Sequence, residues 1–306
     1  MKFIEQKRIH IPAKTEFIQR KFLDIPYAQG GERRTLDIYL PNEGEGPYPV
    51  IIDIFGGGWY FGNKSSHKLE PALQLLRRGF AVVSINYSLS HTEKFAVSIQ
   101  EVKASIRYIR KYASQYELNP NKIALLGESA GAHFASVAAT SAANNTLLDL
   151  TWPNHDVSDE VQAVIAVYCP ADLAAFKAYW EIEKQTMGLT PLIEEYGQPD
   201  SMEAVFIGGT ANEKPELFYQ ANPENHINDK CPPFLFLHGT QDQVVPILGA
   251  MHFAAKIVQA TDEAHVRFQL VEGAHHDIHD FEEEWIYDLE AEFLREKLNI
   301  GGGNKG

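Results

Sequence analysis

The sequence predicts an α/β fold, a mainly parallel central sheet with helices on both faces that is entered through an antiparallel hairpin. Two observations carry this prediction. Short apolar, β-branched runs lack the polar alternation of half-exposed strands, and segments with helical spacing separate them. A length of 306 residues with 44% apolar residues is enough for one large core.

Taken in order, Phe22 to Tyr27 and Arg34 to Leu40 alternate as two strands around Gln29-Gly30-Gly31-Glu32, a hairpin signal. Residues before Phe22 show no period and are expected to cover the sheet edge or to pack across the subunits of a homodimer. Pro41 to Pro49 reads as a Gly/Pro-rich loop, and Val50 to Phe55 as a strand buried on both faces. Phe80 to Tyr87 is the next strand, and Phe95 to Tyr112 places Val102, Ile106 and Ile109 at helical spacing. Ile123 to Glu128 is a strand, and the alanine-rich stretch from Ala130 to Ala143 must be helical. Val161 to Tyr168 and Pro233 to His238 are further strands. A helix follows from Pro246 to Gln259, then the last strand from His265 to Val271, then an acidic amphipathic helix from Ile278 to Leu298. Between 170 and 230 the alternation lapses into short helical pieces and aromatic residues. That segment is expected to form a small cap over a pocket, within a single domain of 1–306 that ends in a disordered tail at 301–306.

A formal net charge of −14 argues against nucleic acid and anionic membranes as partners, and against strongly anionic substrates. No apolar run approaches membrane-spanning length, and the first residues lack a signal-peptide pattern, so a cytoplasmic location is expected. The two cysteines, Cys169 and Cys231, sit in or beside apolar strands and are expected to be buried thiols.

Gly127-Glu128-Ser129-Ala130-Gly131 places a serine on the sharp turn between a strand and a helix. The pattern alone is weak, and its weight comes from the strand before, the helix after and the partners downstream. Small neighbours at Gly127 and Gly131 leave room for a strained turn that lifts the hydroxyl above the sheet. A serine hydroxyl becomes a useful nucleophile when a base takes its proton and an anion orients that base. On such a scaffold the chain order is serine, acid, histidine. Asp242, just past a buried strand, is the acid candidate, although a loop aspartate at this place can also be a helix cap. His275 and His276 compete for the base. Asp277 and Asp280 are rejected as the third member, because a sequence neighbour cannot easily fold back beneath the ring.

Gly56-Gly57-Gly58, at the end of a buried strand, offers flexible N–H groups, so Gly57, Gly58 and Ala130 are the candidate oxyanion donors. Trp59, Tyr60 and Trp180, with Phe61 and Trp152, form a candidate stacking surface for a sugar or aromatic acid, against the alternative that each is core. His275, His276, Asp277 and His279 are dense in ligand-capable groups but lack the usual metal spacing, so no metal and no cofactor is expected.

These residues together resemble a known family. Phe55-Gly56-Gly57-Gly58-Trp59, Asn86-Tyr87-Ser88-Leu89-Ser90, Asn119 to Ala124 leading into Gly127 to Gly131, Pro232 to Asp242, and Glu272-Gly273-Ala274-His275-His276 are similar to α/β-hydrolase serine esterases of the bacterial feruloyl-esterase-like and acetyl-esterase group. That group is related to the hormone-sensitive-lipase-like carboxylesterases, and the similarity spans about 34–298. The resemblance implies a carboxylesterase with Ser129, Asp242 and His276 as its triad, since the family's histidine stands third after the glycine of the last motif. It also implies a small-molecule ester substrate with a short acyl group, such as an acetylated or feruloylated carbohydrate. Phe55 departs from the pattern, because the family usually has histidine before the glycines, where it braces the oxyanion loop. An arylformamidase like kynurenine formamidase and a non-catalytic binding protein on the same scaffold are the competing expectations.

Overall fold

The computed structural model describes residues 3–300 of the chain. Its strands are β1 (Lys21–Pro26), β2 (Thr35–Tyr39), β3 (Tyr48–Ile54), β4 (Ala81–Ile85), β5 (Leu118–Glu128), β6 (Ala163–Val167), β7 (Phe234–Gly239) and β8 (Val266–Val271). They form one eight-stranded sheet in the order β1-β2-β4-β3-β5-β6-β7-β8. The β1–β2 and β2–β4 pairs are antiparallel and all the others parallel, which is the α/β-hydrolase arrangement. The helices are α1 (Glu70–Leu73), α2 (Phe95–Tyr112), α3 (Ala130–Ala142), α4 (Phe176–Thr186), α5 (Met202–Ile207), α6 (Pro215–Ala221), α7 (Ile247–Ala260) and α8 (Glu284–Lys297).

Strand residues alternate between the two faces, and the buried clusters follow that period. Val50, Ile52, Ile54, Leu125, Ala166 and Phe236 pack with α2, α3 and α7. Ile51, Ala124, Leu126, Ile165 and Leu237 pack on the other face with α8, and Tyr39 and Val82 with α1. The runs lack polar alternation because both faces are covered. No helix among the described residues is long and apolar enough to cross a membrane. Cys169 and Cys231 are both free and buried.

Two expected boundaries shift. β5 begins at Leu118, five residues early, with a register irregularity opposite Tyr48 and Val50. The expected helix from Ile278 to Leu298 is instead a 3-10 turn over Ile278–Phe281 followed by α8 from Glu284. Phe281 turns inward onto Tyr168, with ring centroids 5.0 Å apart, and the backbone leaves helical geometry at Glu282, where ψ is 60°. The expected tail at 301–306 lies outside the described residues.

Within β3, Asp53 is buried and accepts a hydrogen bond from the Ser84 hydroxyl at 3.3 Å. Burial, reinforced by the negative charge of Glu128, pushes its carboxyl up to about 8. The folded protein therefore holds this proton more tightly than the unfolded chain does. The resulting stability is fully present below the ordinary aspartate range and is lost as pH rises through about 8. Glu290, also pushed up to about 8 by burial, adds to the same slope. Asp53→Asn is expected to flatten it: between pH 5 and 9 the wild type should lose on the order of a few kcal/mol more than the variant, at about 1.4 kcal/mol per pKa unit. Urea midpoints across that range check this, and equal losses would refute it.

Candidate active site

The loops after β5, β6, β7 and β8 leave the sheet at one edge, because the paired registers end together at Glu128 with Val167, Val167 with Leu237, and Gly239 with Val271. Ser129 stands on the turn from β5 into α3 with φ 53° and ψ −122°, a left-handed strain for a non-glycine residue. Its N–H donates to the Val167 carbonyl at 2.9 Å, and its own carbonyl accepts from His133 N–H at 3.1 Å.

The loops after β7 and β8 are joined to each other. Gln241 N–H donates to Ala274 O at 2.9 Å, Thr240 N–H to Val271 O at 3.0 Å, and Gly273 N–H to Thr240 Oγ1 at 2.9 Å. Glycine is required at 239, since a methyl group there would lie 2.2 Å from Ala274 O. This close approach brings Asp242 beneath His276. His276 Nδ1 lies 2.8 Å from Asp242 Oδ2, and His276 Nε2 lies 2.9 Å from Ser129 Oγ. With Asp242 ionised, Nδ1 carries the proton and donates to it, so Nε2 is free to accept from the Ser129 hydroxyl.

Asp242 Oδ1 accepts from Val244 N–H at 2.8 Å and Val245 N–H at 2.9 Å, and His238 Nε2 lies 3.3 Å from Oδ2. Burial works to raise the Asp242 pKa, but the neighbouring His276 and His238 outweigh it and hold the carboxyl well below the ordinary range. His275 points elsewhere: it is exposed and pairs with Asp280 at 3.1 Å. Asp277 accepts from His279 N–H at 3.0 Å, and His279 pairs with Glu282 at 3.2 Å. Among the described residues no group of three or more such side chains is arranged to hold a metal ion.

A cavity of about 330 Å³ opens over Ser129 and His276, and Gly57, Gly58 and Ala130 line it. Ala130 begins α3, where the first N–H groups have no intrahelical acceptor and an anion is favoured. Gly57 (φ 128°) and Gly58 (φ 59°) adopt conformations that suit glycine. Phe55, where the resemblance implies an imidazole, is held by packing. Its ring stacks on Tyr87 at 4.4 Å, and the loop is anchored by Gly56 N–H donating to Glu128 Oε1 at 2.5 Å. Lys68 holds the same oxygen at 2.7 Å, so Glu128 ties the glycine loop to the serine turn.

The aromatic residues of the expected stacking surface are dispersed. Trp59 borders the cavity but is buried, with its indole stacked on Phe206 at 4.7 Å and its N–H donating to His133 Nδ1 at 3.3 Å. Burial lowers the His133 pKa to about 4, so a neutral ring bridges Trp59 to the Ala221 carbonyl at 2.8 Å. Tyr60 packs on Phe61 and His91, and Trp180 is buried in α4, both outside the cavity lining. Phe176, Ile193, Tyr196 and Met202, all from the 170–230 segment, line it instead.

Three contributors escape sequence reading. The Tyr168 ring packs on the His276 imidazole with centroids 4.4 Å apart. Glu128 and Lys68 form the brace described above. Phe3, Gln6 and Arg8 form part of the cavity wall. Only Tyr168 left a signal, as the residue ending a strand at the same sheet edge.

Comparison with known proteins places this geometry in context. The family described as BD-FAE matches residues 36–257. Esterase LipQ of Mycobacterium tuberculosis is 31% identical over 269 residues, covering 87% of this chain and 59% of that protein. Kynurenine formamidase of Danio rerio is 26% identical over 167 residues, covering 52% of each. The chain thus spans little more than half the length of these curated relatives. Among solved structures, a truncated form of a carbohydrate esterase from gut microbiota superposes with a TM-score of 0.79 at 25% identity, covering 94% of this chain and 99% of that one.

Proposed function

The chain belongs to the BD-FAE family of α/β-hydrolase esterases, and on that premise we propose that it is a serine carboxylic-ester hydrolase acting on short-chain acyl esters, an acetylated or feruloylated carbohydrate being the favoured substrate class. One observation carries the proposal: the unbroken line of hydrogen bonds from Ser129 through His276 to Asp242, within the cavity that Gly57, Gly58 and Ala130 line. The names of its relatives, an esterase and a carbohydrate esterase, support the same reading.

In this mechanism Ser129 Oγ attacks the ester carbonyl carbon as its proton passes to His276 Nε2. Asp242 holds the ring's tautomer and stabilises the imidazolium. The carbonyl oxygen, now an anion, is met by the N–H groups of Gly57, Gly58 and Ala130. Collapse expels the alcohol, which takes the proton from His276, and leaves an acyl group on Ser129. Water then attacks that acyl group, giving its proton to His276, and the second collapse frees the acid and returns the proton to Ser129. With both thiols free, a reducing compartment such as the cytoplasm suits the chain.

A cavity of about 330 Å³ walled by Ile193, Tyr196 and Met202 favours short acyl groups. Across p-nitrophenyl esters, kcat/KM is expected to peak between acetate and butyrate and to fall at least about tenfold by decanoate. A flat profile would remove the short-chain assignment. Acetylated and feruloylated oligosaccharides extend the series to the favoured substrates. The similarity to kynurenine formamidase keeps a second reading open, and a higher kcat/KM on N-formylkynurenine than on p-nitrophenyl acetate would select it. Failure of a fluorophosphonate to label Ser129 would favour a binding protein over either enzyme.

A further inference from the structure

We propose that Arg8 forms a carboxylate subsite in the candidate active-site cavity, so that the favoured substrates carry an anionic carboxylate close to the scissile ester. This deepens the proposed hydrolase function and rests on it. Arg8 lines the same cavity as Ser129 and His276. Its guanidinium carbon lies 5.0 Å from the Phe3 ring centroid and 5.1 Å from that of Phe61, and those two rings meet edge to face at 5.6 Å. Two aromatic rings thereby flank a partly exposed planar cation whose fork of N–H donors matches a carboxylate. One donor is used by Gln6 Oε1 at 3.2 Å. Among the described residues Arg8 makes no ion pair, unlike Lys68, which is bound to Glu128 at 2.7 Å.

The remaining charges around the cavity do not cancel this site. Glu128 does attract Arg8 electrostatically, but it makes no ion pair with it and its carboxylate is shared with Lys68 and Gly56, while Asp277 is turned to the His279 N–H. The chain is anchored from Ile11 onward, three residues beyond Arg8. His67 N–H donates to Ile11 O at 2.7 Å, Ala13 N–H donates to Ser65 O at 2.9 Å, and Pro12 bridges Ser66. Phe3 fills the space beside Gly58, where a methyl group would lie 2.4 Å from its ring. In a chain of net charge −14 an anionic substrate is repelled at long range, so a dedicated local cation is what would admit one.

The carboxylate can belong to the acyl or to the alcohol part, and two substrate pairs distinguish them. For the acyl side the ratio of kcat/KM on p-nitrophenyl hemisuccinate to that on p-nitrophenyl butyrate is measured. For the alcohol side the ratio is 4-acetoxybenzoate to phenyl acetate. Arg8→Gln is expected to lower at least one ratio about tenfold or more, with Arg8→Lys intermediate because it keeps the charge but loses the fork. A merely structural Arg8 would lower both members of a pair together, and two ratios unchanged within about twofold would overturn the subsite. Binding of p-nitrophenyl hemisuccinate to Ser129→Ala protein, followed by calorimetry, needs no turnover. Binding there that is weakened about tenfold by Arg8→Gln supports the subsite even if no ester is hydrolysed, and equal binding overturns it on the acyl side.

Discussion

Replacement of Ser129 by alanine is expected to lower kcat at least about 10⁴-fold while changing KM little, because in the proposed mechanism the hydroxyl forms the bond that defines the acyl-enzyme and contributes little to ground-state binding. His276→Ala should cost about as much, since an unactivated hydroxyl attacks almost as poorly as an absent one. The double variant should be no worse than either single variant. Asp242→Asn is expected to cost about 10⁴-fold by a different route. An amide in that place, which also accepts from Val244 and Val245 N–H groups, would favour the imidazole tautomer with its proton facing Ser129. Stopped-flow and steady-state kinetics on p-nitrophenyl acetate check all four variants. Multiplicative losses in the double variant, or residual activity of Ser129→Ala above a tenth of wild type, would defeat the relay.

The strands were readable because doubly buried runs such as Val50–Ile54 and Phe234–His238 carry a signal that depends only on neighbours in the chain. The candidate serine, acid and histidine carry a related signal. Each sits directly after such a strand, and parallel strands that end in register deliver their loops to one edge. The brace from Glu128 to Gly56 and Lys68 spans sixty residues or more and has no period, so nothing local announces it. The same holds for Phe3 and Arg8, which reach the cavity only because residues 11–13 pair with 65–67. The aromatic residues are ambiguous for the opposite reason. Trp59, Tyr60 and Trp180 look alike in sequence, and only tertiary packing decides that Trp59 faces Phe206 and His133 while Trp180 is enclosed by α4 and its neighbours. The break after Phe281 was hidden because an inward-turning Phe281 fits a helical apolar stripe as well as it fits a 3-10 turn.

Gly131→Ala is expected to be the most damaging single methyl added near the site. At this position the first turn of α3 lies against the end of β3, and a methyl group would sit 1.8 Å from Ile54 O and 2.8 Å from Phe55 O. Neither atom can yield, because both belong to the strand end that carries Gly57 and Gly58. Gly127 is equally closed, since its methyl would meet Gly131 O at 2.4 Å, so α3 cannot relieve the clash by sliding back toward β5. The expected cost is about 3 kcal/mol or more, at the upper end for overpacking, because backbone rather than side chain must move. Separating α3 from β3 also separates the Ala130 amide from the Gly57 and Gly58 amides, so whatever protein folds should lose kcat beyond its loss of stability. Gly79→Ala is the control. Its φ of 89° is strained for alanine, yet nothing lies within 4 Å, so it should cost only about 1–2 kcal/mol and leave kcat unchanged. Denaturant unfolding of both variants separates steric conflict from backbone strain, and a Gly131→Ala protein within about 0.5 kcal/mol of wild type would mean that the helix and strand are not in the close contact on which the proposed oxyanion site depends.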